Sequence, residues 1–191
     1  CGGIVGIYYR GTISNCNTSG NIYNYGGGIT GAYFRGIVKD CYSIGNINNY
    51  GGGITGAYTD TGSINSINVN NNSLISNCYS NGSINNYSGG ISGYKSYAYI
   101  YNCYSLGDIS GYSGGIIGSD PINGLNENEN ISYIINTYSR GNIYNNSGGI
   151  CGANAMNMII INSYSCGNIY DNAGGIYGIN SSQQSTSSQI Y

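Results

Sequence analysis

Histidine and tryptophan are absent from the 191 residues, proline and phenylalanine occur once each, and there are only 5 basic and 7 acidic side chains. Each shortage removes a class of function. Without histidine the commonest acid–base catalyst and a principal zinc ligand are missing. A formal net charge of −2 gives no electrostatic hold on nucleic acid or on an anionic membrane surface, so neither partner is expected. No run of about 18 apolar residues exists, so membrane insertion as a spanning helix is not expected. The first residue is not Met, and the given sequence opens inside a repeat. Cys1 occupies the slot filled later by Gly26, Gly51, Ser88, Ser113, Ser147 and Ala173, which predicts a fragment or a processed piece of a longer protein. A mature lipoprotein with its lipid on Cys1 is the competing reading.

Glycine, tyrosine, asparagine and serine dominate instead, and they recur in a fixed order. A Gly-Gly-Ile-x-Gly block and its variants place isoleucine at 4, 29, 54, 91, 116, 150 and 176, in steps of 25, 25, 37, 25, 34 and 26 residues. A second anchor falls at Cys16, Cys41, Cys78, Cys103, Thr137 and Ser163, always 13 residues before the next such isoleucine. All length variation therefore sits in one place per unit. A period of this size predicts a solenoid, one unit per coil. Turn residues every few positions and an Ile- and Tyr-rich remainder argue for strands and against helices. Three short apolar runs per unit, such as Ile100 to Tyr104, Ile109 and Ile116 to Ile117, predict three short strands and a triangular coil. The expected architecture is all-β, about seven coils of about 25 residues over 1–179, with a Ser/Gln-rich tail or linker at 180–191.

Stacked coils lie about 4.8 Å apart, so equivalent residues form ladders. Ile4 with Ile29 and Ile54, Ile22 with Ile47, and Ile13 with Val38 read as interior. The Cys16, Cys41, Cys78, Cys103 ladder continues as Thr and Ser, so small size rather than sulfur is what the position requires. Reduced, buried thiols are expected, with a disulfide between neighbours as the alternative: the spacing permits it, but parallel side-chain vectors suit it poorly. The preceding column, Asn15, Asp40, Asn77, Asn102, Asn136 and Asn162, predicts an amide ladder at a corner. The following column, Tyr42, Tyr79, Tyr104, Tyr138 and Tyr164, should face outward as a stripe of stacked phenols. Such a stripe can bind host glycans or surface proteins, although cross-coil stacking alone is reason enough for it. Cys151 and Cys166 read as variable, outward positions.

Two insertions, 57–73 and 119–130, interrupt the same corner two units apart. They carry Asp60 and Asp120, Glu127, Glu129, weak calcium candidates. Solvated acidic loops are the plainer expectation, because Asn126 to Asn130 lacks the ordered ligand spacing of a calcium loop. No cofactor is expected, nor any catalytic residue. The coil acids Asp40, Asp108 and Asp171 lie in different units at different positions, whereas glycosidic cleavage needs two carboxylates facing one another.

The pairing of Asn77-Cys78-Tyr79-Ser80-Asn81-Gly82-Ser83-Ile84 with Ser88-Gly89-Gly90-Ile91-Ser92-Gly93 resembles the GLUG repeat of large bacterial surface proteins, adhesins and some immunoglobulin-protease ectodomains. The resemblance covers 2 to about 178. It implies a right-handed parallel β-helix on an extracellular, cell or particle surface, virions included, and no catalysis. The functional expectation is a structural fibre or filament subunit that self-associates through open solenoid ends. The alternatives are an adhesin stalk or ligand-binding module and, more remotely, a carbohydrate-active β-helix enzyme.

Overall fold

The structure, a computed structural model, describes residues 1–59, 73–120, 131–181 and 189–190. Among these the chain is all-β, without a helix, and every strand pairing is parallel. Each repeat gives one short strand to each of two sheets. The seven-stranded sheet takes β1 (Arg10–Ser14), β3 (Arg35–Lys39), β5 (Leu74–Ser76), β7 (Tyr99–Tyr101), β9 (Ser132–Ile135), β11 (Met158–Ile161) and β13 (Gln189–Ile190). The six-stranded sheet takes β2 (Asn17–Thr18), β4 (Tyr42–Ile44), β6 (Tyr79–Asn81), β8 (Tyr104–Ser105), β10 (Tyr138–Ser139) and β12 (Tyr164–Ser165). Parallel neighbours need a long return path between them, and the rest of each repeat supplies it.

Register follows the repeat. Ile75 pairs with Ile100, and Tyr79 with Tyr104, so equivalent positions of successive repeats lie side by side. Ile100 to Tyr104, expected as one strand, splits at left-handed Asn102 into β7 and β8, and the isolated isoleucine of each unit, expected as another, makes single-residue bridges instead: Ile22 to Ile47, then Ile84, Ile109, Ile143 and Ile169. Turn residues on both sides of it leave one extended residue, too few for a strand. Further single bridges join Gly27, Gly52 and Gly89, and Thr30, Thr55 and Ser92.

Isoleucine-rich columns fill the interior in two clusters. Ile29, Ile54, Ile91, Ile116 and Ile150 pack with Val38, Ile75, Ile100, Ile134 and Ile160 in one cluster, while Ile22, Ile47, Ile84, Ile109 and Ile143 form a second. The glycines between the columns are there for want of space. A methyl on Gly53 would strike the Gly90 carbonyl oxygen and the Ser80 β-carbon of the next repeat. Ser80 belongs to a file, with Ser43, Ser105 and Ser139, whose enclosed hydroxyls find no partner. Size is what these positions select.

Cys151 corrects an expectation. It is not outward but fully buried in the first cluster, bridged to Ile117 and Tyr177. Its column reads Thr30, Thr55, Ser92, Ile117, Cys151, and the variation in residue type was mistaken for exposure. Cys166 is exposed. Residues 189–190, within the stretch expected as tail or linker, form β13, which pairs Gln189 with Ile159 and Ile190 with Ile160.

Candidate functional site

The bend between the two sheets is built by one residue per repeat in the left-handed region. Asn15, Asp40, Asn77, Asn102, Asn136 and Asn162 all have φ between 50° and 56°. Asparagine and aspartate tolerate this conformation better than other side-chain-bearing residues. Their side chains also bond along the axis: Asn77 Nδ2 donates to Asp40 Oδ1 at 3.0 Å, Asn102 to Asn77 at 3.3 Å, and Asn136 to Asn102 at 3.3 Å. The amide ladder thus orients the next residue but one, the tyrosine that follows the cysteine column.

Those tyrosines, Tyr42, Tyr79, Tyr104, Tyr138 and Tyr164, stand half-exposed to exposed on the six-stranded sheet. Successive ring centroids are 4.9, 5.0, 4.9 and 5.4 Å apart, with planes within 10° of parallel. The stack covers the faces of the inner rings. A sugar platform needs an open aromatic face, so this stripe offers a ligand ring edges and a row of hydroxyls instead.

A larger tyrosine array escaped the sequence reading. Tyr25, Tyr50, Tyr87 and Tyr112 form a second ladder at 4.9, 5.3 and 5.1 Å, and Tyr8, Tyr33 and Tyr58 a third at 4.9 Å. The two adjoin: Tyr25 lies 6.0 Å from Tyr58, and Tyr94 sits between Tyr50 at 4.9 Å and Tyr58 at 6.1 Å. Seven of these eight rings project from left-handed residues; Tyr94 is the exception. Such a backbone costs about 1–3 kcal/mol for a residue with a β-carbon, and a stacked aromatic pair returns about 0.5–1.5 kcal/mol, the same order. The array's signal in the sequence is Asn-Tyr before the double-glycine block, at Asn24-Tyr25, Asn49-Tyr50 and Asn86-Tyr87, a pair that lies off the cysteine and isoleucine anchors of the period.

The Tyr8, Tyr33, Tyr58 column continues as Lys95, Asp120 and Asn154, all left-handed. Asp120 accepts from the Tyr94 hydroxyl at 2.9 Å and from Asn154 Nδ2 at 2.6 Å. Lys95 Nζ stands 5.3 Å from the Tyr94 ring centroid. Burial first, then the bond to Asp120, pushes the Tyr94 phenol well above its ordinary range. Of the calcium candidates, Asp120 is thus held by a phenol and an amide, while Asp60, Glu127 and Glu129 lie outside the described residues. Of the coil acids, Asp40 accepts from Asn77 and Asp108 from the Asn142 backbone at 2.9 Å.

The cysteine column points inward as free thiols, Cys41, Cys78 and Cys103 buried and Cys16 partly so. Each Sγ donates to the carbonyl two residues back, at 3.1 to 3.3 Å, and Ser163 Oγ does the same at 3.0 Å. The position therefore selects a small donor, which explains how a hydroxyl replaces sulfur. Burial pushes the Cys41 thiol up to about 11, and the neighbouring Cys103 thiol and burial push Cys78 higher. Cys41 and Cys78 are therefore inert, protonated groups rather than nucleophiles.

No family model matches the sequence, and no curated protein matches it. Among solved structures, a crystal structure from Bacteroides ovatus, described provisionally as an immunoglobulin A1 protease, is similar with a TM-score of 0.56 and 22% identity, over 98% of this chain and 62% of that one. The chain spans less than two thirds of that protein's length, and at this identity the likeness is one of fold.

Proposed function

We propose that the chain is a structural rod: a right-handed parallel β-helix of about seven coils of GLUG-like repeats that works as a fibre or filament subunit on an extracellular, cell or particle surface, without catalysis. The observation that carries this reading is the self-complementarity of the coils. Ile29 and Ile143, each with a repeat on both sides, are 0% exposed, whereas their equivalents in the first and last described repeats, Ile4 and Ile169, are 46% and 52% exposed. Ile4, expected as interior, is thus left open together with Ile169, and at these two positions the outermost described repeats show surface of the kind that the inner repeats bury against one another. Covering one such side chain is worth about 1.5–3 kcal/mol, and an open row of strand hydrogen-bonding groups beside it recruits a further strand. A second copy would continue the ladders head to tail.

A stalk segment of an adhesin is the second reading, supported by the same surfaces, with the next coil supplied by the same polypeptide. The acids' use as hydrogen-bond acceptors within the coils, together with the raised thiols, favours either over an enzyme. The protease description belongs to the structural neighbour, and nothing in the arrangement of these side chains calls for it here. Sedimentation and electron microscopy of the purified chain test the proposal. Filaments whose axial repeat is near seven coils, about 34 Å at the usual strand spacing, are expected; a monodisperse monomer at all concentrations overturns the filament reading.

A further inference from the structure

Tyr94 is the junction of the two corner ladders. Its ring stands at 70° to Tyr50 and 89° to Tyr58, edge-on to stacks whose other members are near parallel. Among the described residues it is the one ring of the eight whose hydroxyl donates to a carboxylate. Asn154 fixes that carboxylate from its other oxygen. Rings in contact pass an electron vacancy among themselves, and a phenol gives up its electron most readily where a base within hydrogen-bond reach takes the proton in the same event. The phenol holds its proton at neutral pH, because burial and Asp120 both favour the neutral form.

We propose that Tyr94 is a one-electron oxidation site, the point at which a vacancy created anywhere in the corner cluster comes to rest, with Asp120 as proton acceptor and Tyr50 as the partner for a dityrosine cross-link. A one-electron oxidant, of the peroxidase or photo-oxidised metal-complex class, removes an electron from an exposed ring such as Tyr25 or Tyr33. An electron from Tyr94 refills that ring while the Tyr94 proton moves to Asp120 Oδ2, leaving a neutral phenoxyl. A second oxidation removes an electron and a proton from Tyr50, and the two ring carbons ortho to oxygen join. Each ortho hydrogen then returns to the oxygen of its own ring, restoring two phenols; the net loss is two electrons to the oxidant and two protons. Lys95, 5.3 Å above the Tyr94 ring, opposes a charged radical cation but not the neutral phenoxyl, so it favours loss of electron and proton together. The bond would tie neighbouring repeats covalently, and it stands whether or not the rod assembles.

The test is brief photo-oxidation of the full chain with a ruthenium polypyridyl complex and persulfate, followed by peptide mapping for species lighter by two hydrogens. The Tyr50–Tyr94 cross-link is expected to dominate. Tyr94→Phe, which keeps the ring, should lower total cross-linking of Tyr50 about tenfold. Asp120→Asn, which keeps an accepting oxygen but removes the base, should lower Tyr94's share about fivefold. Cross-links distributed by exposure, with Tyr8 leading, would overturn the proposal. So would an undiminished Tyr50 yield in Tyr94→Phe, or an unchanged Tyr94 share in Asp120→Asn.

Discussion

The face of the six-stranded sheet and the tyrosine corner are built from the same residue type at the same spacing, yet they behave differently along the axis. On the sheet, Tyr42 to Tyr164 keep one orientation through five repeats. At the corner, the Tyr8, Tyr33, Tyr58 stack turns at Tyr94 and gives way to Lys95, Asp120 and Asn154. A strand position is fixed by hydrogen bonds on both sides and by the packed column behind it. The corner residue needs only a left-handed backbone and a side chain that reaches solvent, a condition that tyrosine, lysine, aspartate and asparagine all meet. Both insertions, 57–73 and 119–130, begin at this tolerant corner, at Tyr58 and Asp120. At this corner variability marks freedom at the surface, whereas the equally variable column of Thr30, Thr55, Ser92, Ile117 and Cys151 is buried.

The contrast can be broken most severely where coils touch. Gly53→Ala puts a methyl against the Gly90 carbonyl and is expected to cost more than about 3 kcal/mol or to prevent folding. Gly20→Ala, with nothing within 4 Å of the new carbon, should shift stability by less than about 0.5 kcal/mol in the same urea titration. Ile84→Ala empties one rung of the second core column and should cost about 2–5 kcal/mol by denaturant midpoint at constant slope. Smaller again is the bend between the sheets. Asn102→Ala keeps a β-carbon in the left-handed region but removes the amide that bonds Asn77 and Asn136 and should cost about 1–2 kcal/mol, while Asn102→Gly should recover most of that.

The gentlest perturbation is alkali. The Cys41 thiol rises from 9.0 unfolded to about 11 folded, so above pH 9 the unfolded chain loses a proton that the folded one keeps. Its contribution to stability is complete below pH 9, is lost as pH rises towards 11, and amounts to about 1 kcal/mol at pH 10. Comparing the pH dependence of unfolding in the wild type and in Cys41→Ser isolates that share from the tyrosines. Thiol labelling under native conditions should find Cys1 and Cys166 but not Cys78, Cys103 or Cys151.

Much of the interior was legible because burial in stacked repeats demands identity: isoleucine at 29, 54, 91, 116 and 150 can be read as a column without coordinates. Cys151 was misplaced because its column asks only for a side chain of middling size, and Thr30, Ser92 and Ile117 satisfy that without resembling one another. The third strand was over-read at Ile109, since hydrophobicity at one position cannot reveal that its neighbours turn. Tyr94 was invisible for a further reason. Its importance lies in a contact with Asp120, 26 residues away, at a register one residue out of step with the tyrosines it adjoins, and a search for repeating positions passes over it.

Removal of one whole repeat tests the central claim most directly. Deleting 79–103 joins Cys78 to Tyr104 and shifts every later rung by 25 residues, the spacing at which Tyr79 pairs with Tyr104 and Asn77 bonds Asn102. In-register stacking predicts a shorter protein that keeps its parallel-sheet circular dichroism and unfolds cooperatively, while a deletion three residues shorter at the same place collapses. Equal damage from the two deletions would contradict it.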